Sequence, residues 1–209
     1  MIVGVMDYGA GNFPSVARAL DKLGAELLVA VWPSDLHYAD AIVLPGVGNY
    51  AALIRALDER DLRTPLLDAI ARGVPFLGIC LGLQALYSSS EEAPTLSGLN
   101  LFSSSVRSLP TTVKLPHMGW NRLHIQRTSQ LLAGVSDSDY FYFAHTFAAA
   151  VSSNSNEVVA TCSHGETFTA VLEQQNIFAT QFHPEKSGAA GARLLQNFLG
   201  LAARMSSTA

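Results

Sequence analysis

The sequence is poor in the features that mark exported, membrane or nucleic-acid-binding proteins. It has two cysteines, Cys80 and Cys162, too few for a disulfide framework and without metal-ligand spacing. Charged residues make up only 14% of the chain, against roughly 25% in an average soluble protein. No basic run occurs, and 13 Lys+Arg against 17 Asp+Glu leave a formal charge of −4. That balance argues against nucleic acid as a partner. No run of 18 apolar residues exists, so no spanning helix and no membrane partner are expected. The opening MIVGVMDYGAGN lacks the basic n-region of a signal peptide. What the chain does have is apolar bulk. Hydrophobic residues are 49% of 209, too many for disorder and enough for a sizeable core. The expectation is a cytoplasmic globule with one domain over residues 1–209.

The first half alternates short apolar runs with helical periodicity. Ile2 to Met6 reads as a buried parallel strand. After the loop Asp7-Tyr8-Gly9-Ala10-Gly11-Asn12, the residues Val16, Ala19, Leu20 and Leu23 recur at helical spacing until Gly24 stops them. Leu27–Val31 and Ala41–Leu44 read as strands, and Pro45-Gly46-Val47-Gly48 as a sharp break. Ala52–Leu57 and Pro65–Ala71 read as helices, Val74–Ile79 as a buried strand, and Leu81–Tyr87 as a short helix. This alternation predicts an α/β fold, a parallel sheet with helices on both faces. In the second half, Ser88–Pro94 reads as a polar break and Leu96–Pro110 as irregular. Strand-like runs follow at Leu123–Gln126, Tyr140–Ala144, Val158–Cys162, Phe168–Leu172 and Ile177–Gln181, separated by turn signals. Hairpins there would make the sheet mixed. Leu194, Leu195, Phe198, Leu199 and Ala202 predict a last amphipathic helix, and Met205–Ala209 a frayed tail.

Chemistry concentrates in two motifs. Gly78-Ile79-Cys80-Leu81-Gly82 has the form of a nucleophile elbow with cysteine in place of serine, and it lies between a buried strand and a helix. At such a turn the thiol points outward and the helix N-terminus favours the thiolate. Cys162, inside a β-pattern, reads as core filler. A cysteine nucleophile needs a base and a group to orient it. Gln181-Phe182-His183-Pro184-Glu185-Lys186-Ser187 offers both, with His183 leaving the sheet at its edge and Glu185 able to hold one ring nitrogen. An oxyanion hole needs two donors. The Leu81 N–H is one candidate, and the loop with Gly46, Val47 and Gly48 is the other.

These two motifs together resemble the class I, triad-type glutamine amidotransferases. Asp7 to Asn12, Leu44 to Gly48, Pro116-His117-Met118-Gly119-Trp120-Asn121 and Tyr142-Phe143-Ala144-His145-Thr146 narrow the resemblance. They are similar to the branch that forms glutaminase subunits of imidazole glycerol phosphate synthases. The resemblance implies a flavodoxin-like fold, a mixed, mostly parallel central sheet with added hairpins. It implies a catalytic triad of Cys80, His183 and Glu185, with glutamine held by Gly48, Leu81, Gln84, Thr146 and Phe147. It implies no cofactor and no metal. It also implies a heterodimer with a (β/α)8-barrel cyclase subunit that receives ammonia and makes imidazole glycerol phosphate and an aminoimidazole carboxamide ribotide in histidine biosynthesis. Asn12, Trp120 and Lys186 would face that partner. The chain departs from the family at Asn100 to Ser104, where small or glycine residues are expected, and at Phe147, where Tyr is usual.

Two alternatives follow from the same residues. One is a glutaminase subunit of another class I amidotransferase, serving anthranilate, aminodeoxychorismate or pyridoxal phosphate synthesis; Val47 and Pro116–Asn121 argue against it. The other is a non-catalytic binding module of the same fold, against which all three triad positions stand. Among other residues, His117 and Trp120 read either as packing residues of an irregular turn or as partner-facing. His145 reads as a structural edge residue and not a base. His37, His124 and His164 read as surface residues.

Overall fold

The computed structural model describes residues 1–9, 12–151 and 156–206. In chain order the elements are β1 (Ile2–Met6), α1 (Phe13–Asp21), β2 (Glu26–Ala30), β3 (Ala41–Gly46), α2 (Tyr50–Glu59), α3 (Arg63–Ala71), β4 (Phe76–Cys80) and α4 (Leu81–Gln84). Then follow β5 (Tyr87–Ser90), β6 (Phe102–Ser108), β7 (His117–Arg122), β8 (His124–Ile125), β9 (Tyr140–His145) and β10 (Phe147–Ala149). The chain closes with β11 (Val158–His164), β12 (Glu166–Gln174), β13 (Ile177–Thr180) and α5 (Gly188–Ser206).

An eight-stranded sheet runs β2-β1-β3-β4-β13-β12-β11-β8. Its first five strands are mutually parallel, and β12, β11 and β8 continue it antiparallel. This is the α/β architecture that the alternating first half predicts, with the hairpins of the second half as the antiparallel extension. Two smaller sheets, β10-β6-β5 and the ribbon β7-β9, stand apart from it. The side-chain period of 2 along each strand divides the core in two. Val3, Val5, Val43, Leu77 and Ile79 face α1 and α5 residues such as Val16, Leu194 and Phe198. Met6, Ile42, Leu44 and Phe76 face Leu53, Ile54 and Leu66 of α2 and α3. Because β1, β3, β4 and β13 are parallel, the segments leaving their C-terminal ends gather on one edge of the sheet, where open α/β folds place their sites.

Several boundaries differ from the sequence reading, each for a tertiary reason. β3 does not break at Pro45. It continues to Gly46, pairing Pro45 with Ile79 and Gly46 with Cys80. The helix after Cys80 is a single turn, and Tyr87–Ser90 becomes β5 by pairing with β6, which lies within the stretch read as irregular. Pro116–Asn121 is not an irregular turn: His117–Arg122 pairs residue by residue with β9. β13 is an interior strand, and His183 follows its C-terminal end, at the edge of the sheet where the parallel strands finish. Polar strands such as Tyr-Ser-Ser-Ser and His-Met-Gly-Trp-Asn-Arg carry little hydrophobic periodicity, and cross-strand partners alone define them. α5 extends through Met205 and Ser206, which the sequence assigns to a frayed tail; positions 207–209 of that tail, and Ala10 and Gly11 of the first loop, lie outside the described residues.

Candidate active site

The end of β4 is shaped by close backbone approach. A Cβ on Gly78 would come within 2.7 Å of the Gly82 backbone, and one on Gly82 would run into the Leu44 carbonyl oxygen. Glycine at both places lets the chain reverse directly into α4 against β3. Cys80 pays for this turn with φ of +56°, a left-handed conformation that non-glycine residues adopt only when their surroundings force it. It is buried and lines a cavity of about 180 Å³. That is small beside the roughly 300–1,000 Å³ of drug-sized sites, and it suits a small metabolite.

His183 is 1% exposed and follows β13, the neighbour of β4. Its Nδ1 lies 2.9 Å from Glu185 Oε1, and its other partner is Cys80. Burial opposes its charge, but the hydrogen bonds and charges of Cys80 and Glu185 outweigh burial and push its pKa up to about 9. Burial likewise opposes ionisation of Glu185; the bond and charge of His183 overcome it and hold the carboxyl below its ordinary value. Asn12 Nδ2 donates to the same Glu185 Oε1 at 2.8 Å, so Asn12, read from sequence as partner-facing, is engaged with the carboxylate that holds His183. Cys162 is also buried, and burial pushes its thiol up to about 12.

The cavity walls bring most of the remaining sequence candidates together. Val47, Gly48, Leu81, Gln84, Thr146 and Phe147 line it, with Glu92, His145, Pro116 and Met118. Gly46 lies just outside, paired with Cys80. Gly48 has φ of +97°, which only glycine adopts freely. Gln84 Nε2 donates to the Phe147 carbonyl at 2.7 Å and to Gln181 Oε1 at 3.1 Å. Its Oε1 is buried without a hydrogen-bond partner. Phe147 meets Gln84 through its main chain, so the change from Tyr leaves that contact in place. Asn100 takes φ of +55°, a conformation that asparagine tolerates better than most residues.

Three residues escaped the sequence reading. Gln181, fully buried, donates to Cys80 Sγ at 3.6 Å. Glu92 presents a carboxylate to the cavity, held by Asn49 Nδ2 at 2.8 Å. Burial raises its pKa, partly offset by the Tyr50 N–H and the Asn49 amide. Tyr8 is buried near Cys80; its hydroxyl has no hydrogen-bond partner among the described residues, and burial pushes it up to about 12. Gln181 had a signal, since it opens the His183 motif. Glu92, in a polar break, could be found only through the fold.

Trp120 and Lys186 lie on one exposed surface: Lys186 Nζ stands 5.6 Å from the Tyr142 ring, and the Trp120 ring packs edge-on to that ring at 5.9 Å. Met118 and Trp120 are 65% and 54% exposed. His37 and His124 are exposed, whereas His164 is half-buried and stacks on His117 at 4.2 Å. Among the described residues, no group of His, Cys, Asp or Glu could hold a metal ion.

A model of the glutamine amidotransferase class I family matches residues 4–201. The chain is similar to the imidazole glycerol phosphate synthase subunit HisH of Methanothermobacter thermautotrophicus, at 49% identity over 95% of this chain and 98% of that protein. It is similar to the subunit of the same name from Desulfitobacterium hafniense, at 43% identity over 94% and 93%. Among solved structures it resembles a glutamine amidotransferase (TM-score 0.78, 22% identity, covering 97% of this chain and 100% of that one) and PurLQS of Thermotoga maritima (TM-score 0.76, 20% identity, 96% and 98%). At those identities the structures speak to the fold alone.

Proposed function

This chain belongs to the class I glutamine amidotransferases, and from that premise we propose that it is the glutaminase half of an imidazole glycerol phosphate synthase in histidine biosynthesis. The relatives named HisH support this over the other amidotransferases of the fold. The observation that carries the chemistry is the joining of Cys80, on its left-handed turn, to the buried His183–Glu185 pair at one end of a metabolite-sized cavity.

The residues divide the reaction as follows. Cys80 Sγ attacks the carboxamide carbon of L-glutamine, and the carbonyl electrons move onto oxygen. The Leu81 N–H and a peptide N–H from Val47 or Gly48 stabilise that oxyanion. His183, protonated through neutral pH because of its two partners, gives its proton to the leaving nitrogen. Ammonia departs and a thioester remains on Cys80. Water then attacks the thioester, His183 takes the water's proton, and glutamate leaves as Sγ is restored. Glu185 orients the imidazole and stabilises its charge. The free Gln84 Oε1 and the Glu92 carboxylate offer acceptors for the α-ammonium of the substrate, with the Thr146 and Phe147 backbones nearby.

Ammonia passes to a (β/α)8-barrel cyclase subunit in a heterodimer. The exposed Met118, Trp120 and Lys186 beside the site support a partner surface there. As a biosynthetic enzyme the protein works in the cytoplasm. No helix of the described residues is long and apolar enough to cross a membrane. The test is glutamate release from glutamine by the chain alone, with a cyclase subunit, and with cyclase plus its nucleotide. Absence of hydrolysis in all three would overturn the assignment.

A further inference from the structure

A chain of hydrogen bonds runs from the β7–β9 ribbon to the nucleophile, and its proton positions can be read from acceptors alone. The Phe147 carbonyl can only accept, so His145 Nδ1, at 2.9 Å, carries hydrogen. In the neutral ring Nε2 is then an acceptor. Its partner at 3.0 Å, His117 Nδ1, must therefore donate. That leaves His117 Nε2 as an acceptor for the Asn121 amide at 3.3 Å. The Asn121 amide has no freedom to turn: its Oδ1 takes the Arg122 N–H at 2.8 Å, and its Nδ2 also reaches the Ser163 carbonyl at 3.2 Å. Beyond Phe147 the order continues. Its carbonyl accepts from Gln84, which also donates to Gln181, whose amide donates to Cys80 Sγ.

We propose that His117 and His145 are positioning residues for the glutamine site. As a neutral pair of fixed tautomers they hold the Phe147 carbonyl and, through it, the Gln84 amide, so that Gln84 turns its Oε1 to the substrate. The inference rests on the proposed glutaminase reading. Both rings sit where protonation is disfavoured. Burial and then His117 bring His145 down to about 3; burial and then His164 bring His117 down to about 4. A proton added to His145 Nε2 would face the His117 N–H, so the arrangement persists only while both rings are neutral. With both nitrogens committed, His145 acts as no base despite lining the cavity.

The test is steady-state glutaminase kinetics of the complex with the cyclase subunit. His117→Phe keeps the ring stack but removes the donor to His145. Losing one hydrogen bond of this kind should raise the KM for glutamine about three- to tenfold. kcat should change less than twofold, because the loss falls on binding shared by ground and transition states. His117→Asn carries an amide N–H near the place of Nδ1 and should restore KM to within twofold of the parent. In a Gln84→Ala background His117→Phe should add nothing further to KM. Should His117→Phe fail to fold, as judged by thermal melting, His117→Leu, which likewise carries no N–H donor, must give the same KM rise. An unchanged KM, a His117→Asn variant as impaired as His117→Phe, or additive effects with Gln84→Ala would overturn the proposal while the parent still hydrolyses glutamine. A parent without glutaminase activity would instead overturn the underlying assignment.

Discussion

The C-terminal ends of the parallel strands and the β7–β9 ribbon both carry polar groups next to the cavity, but they fix them by different means. At the strand ends the backbone decides. β3, β4 and α4 approach so closely that side chains are excluded at Gly78 and Gly82, and Cys80 is driven to positive φ. Cys80, Gln181 and His183 are all buried there. On the ribbon the side chains decide. Alternation along β7 turns His117 inward to His145 and leaves Met118, Trp120 and Arg122 outward. On the proposed reading, covalent chemistry falls where geometry is over-determined, and recognition where one row of a strand stays free for a partner.

The largest effect should come from the strand ends. Cys80→Ala should abolish glutaminase activity while melting near the parent temperature. An electrophilic glutamine analogue should modify Cys80 and spare Cys162, whose thiol burial holds at about 12. Mass spectrometry of the labelled peptides decides this, and label on Cys162 would remove the distinction between the two sites. His183→Ala should follow, losing on the order of 10² to 10⁴ in kcat. Glu185→Gln should lose less, because an amide still orients the ring without stabilising its charge. A reversed order in stopped assays of glutamate release would mean the two roles are exchanged.

Gly48 tests the loop beside the elbow. Proline there removes an N–H and imposes φ near −65° where the chain now has +97°. An oxyanion donor is worth about 10² to 10³ in rate, so Gly48→Pro should cost most of the stimulation by cyclase and nucleotide. Full activity of the isolated parent chain would show that the loop needs no partner. On the ribbon, Trp120→Ala should weaken cyclase binding about tenfold or more, as loss of an exposed aromatic anchor does, and leave the isolated chain's activity unchanged. Titration calorimetry separates these two readouts.

The smallest effect is on stability against pH. A histidine whose pKa rises on folding stabilises the fold fully below its unfolded value of about 6.5. That contribution is lost as pH climbs through about 9, the folded value of His183. Glu185, lowered on folding, contributes above the ordinary carboxylate range and loses its contribution as pH falls. The melting temperature of the parent should therefore exceed that of His183→Ala by a few degrees near neutrality. The gap should close above pH 9. A gap that persisted there would place the stabilisation in packing and not in the ion pair.

Much of this was legible in the sequence for a definite reason. Strands buried on both faces must be continuous apolar runs, so β1, β3, β4 and β13 announce themselves. A nucleophile elbow needs glycines at fixed offsets, so Cys80 stands out from Cys162. The His183–Glu185 pair is local, separated by one residue. Each of these signals lies within a few positions of chain and was settled by short-range sterics and periodicity. What tertiary structure decided is every relation between distant segments. The ribbon strand β7 looks like a turn until β9 supplies its hydrogen bonds. Glu92 becomes part of the cavity only because Asn49 and Tyr50 hold it there. The tautomers of His117 and His145 depend on a carbonyl at Phe147 and an amide at Asn121. Hydrogen-bond direction is a property of partners brought together by the fold, and no run of residues encodes it in advance.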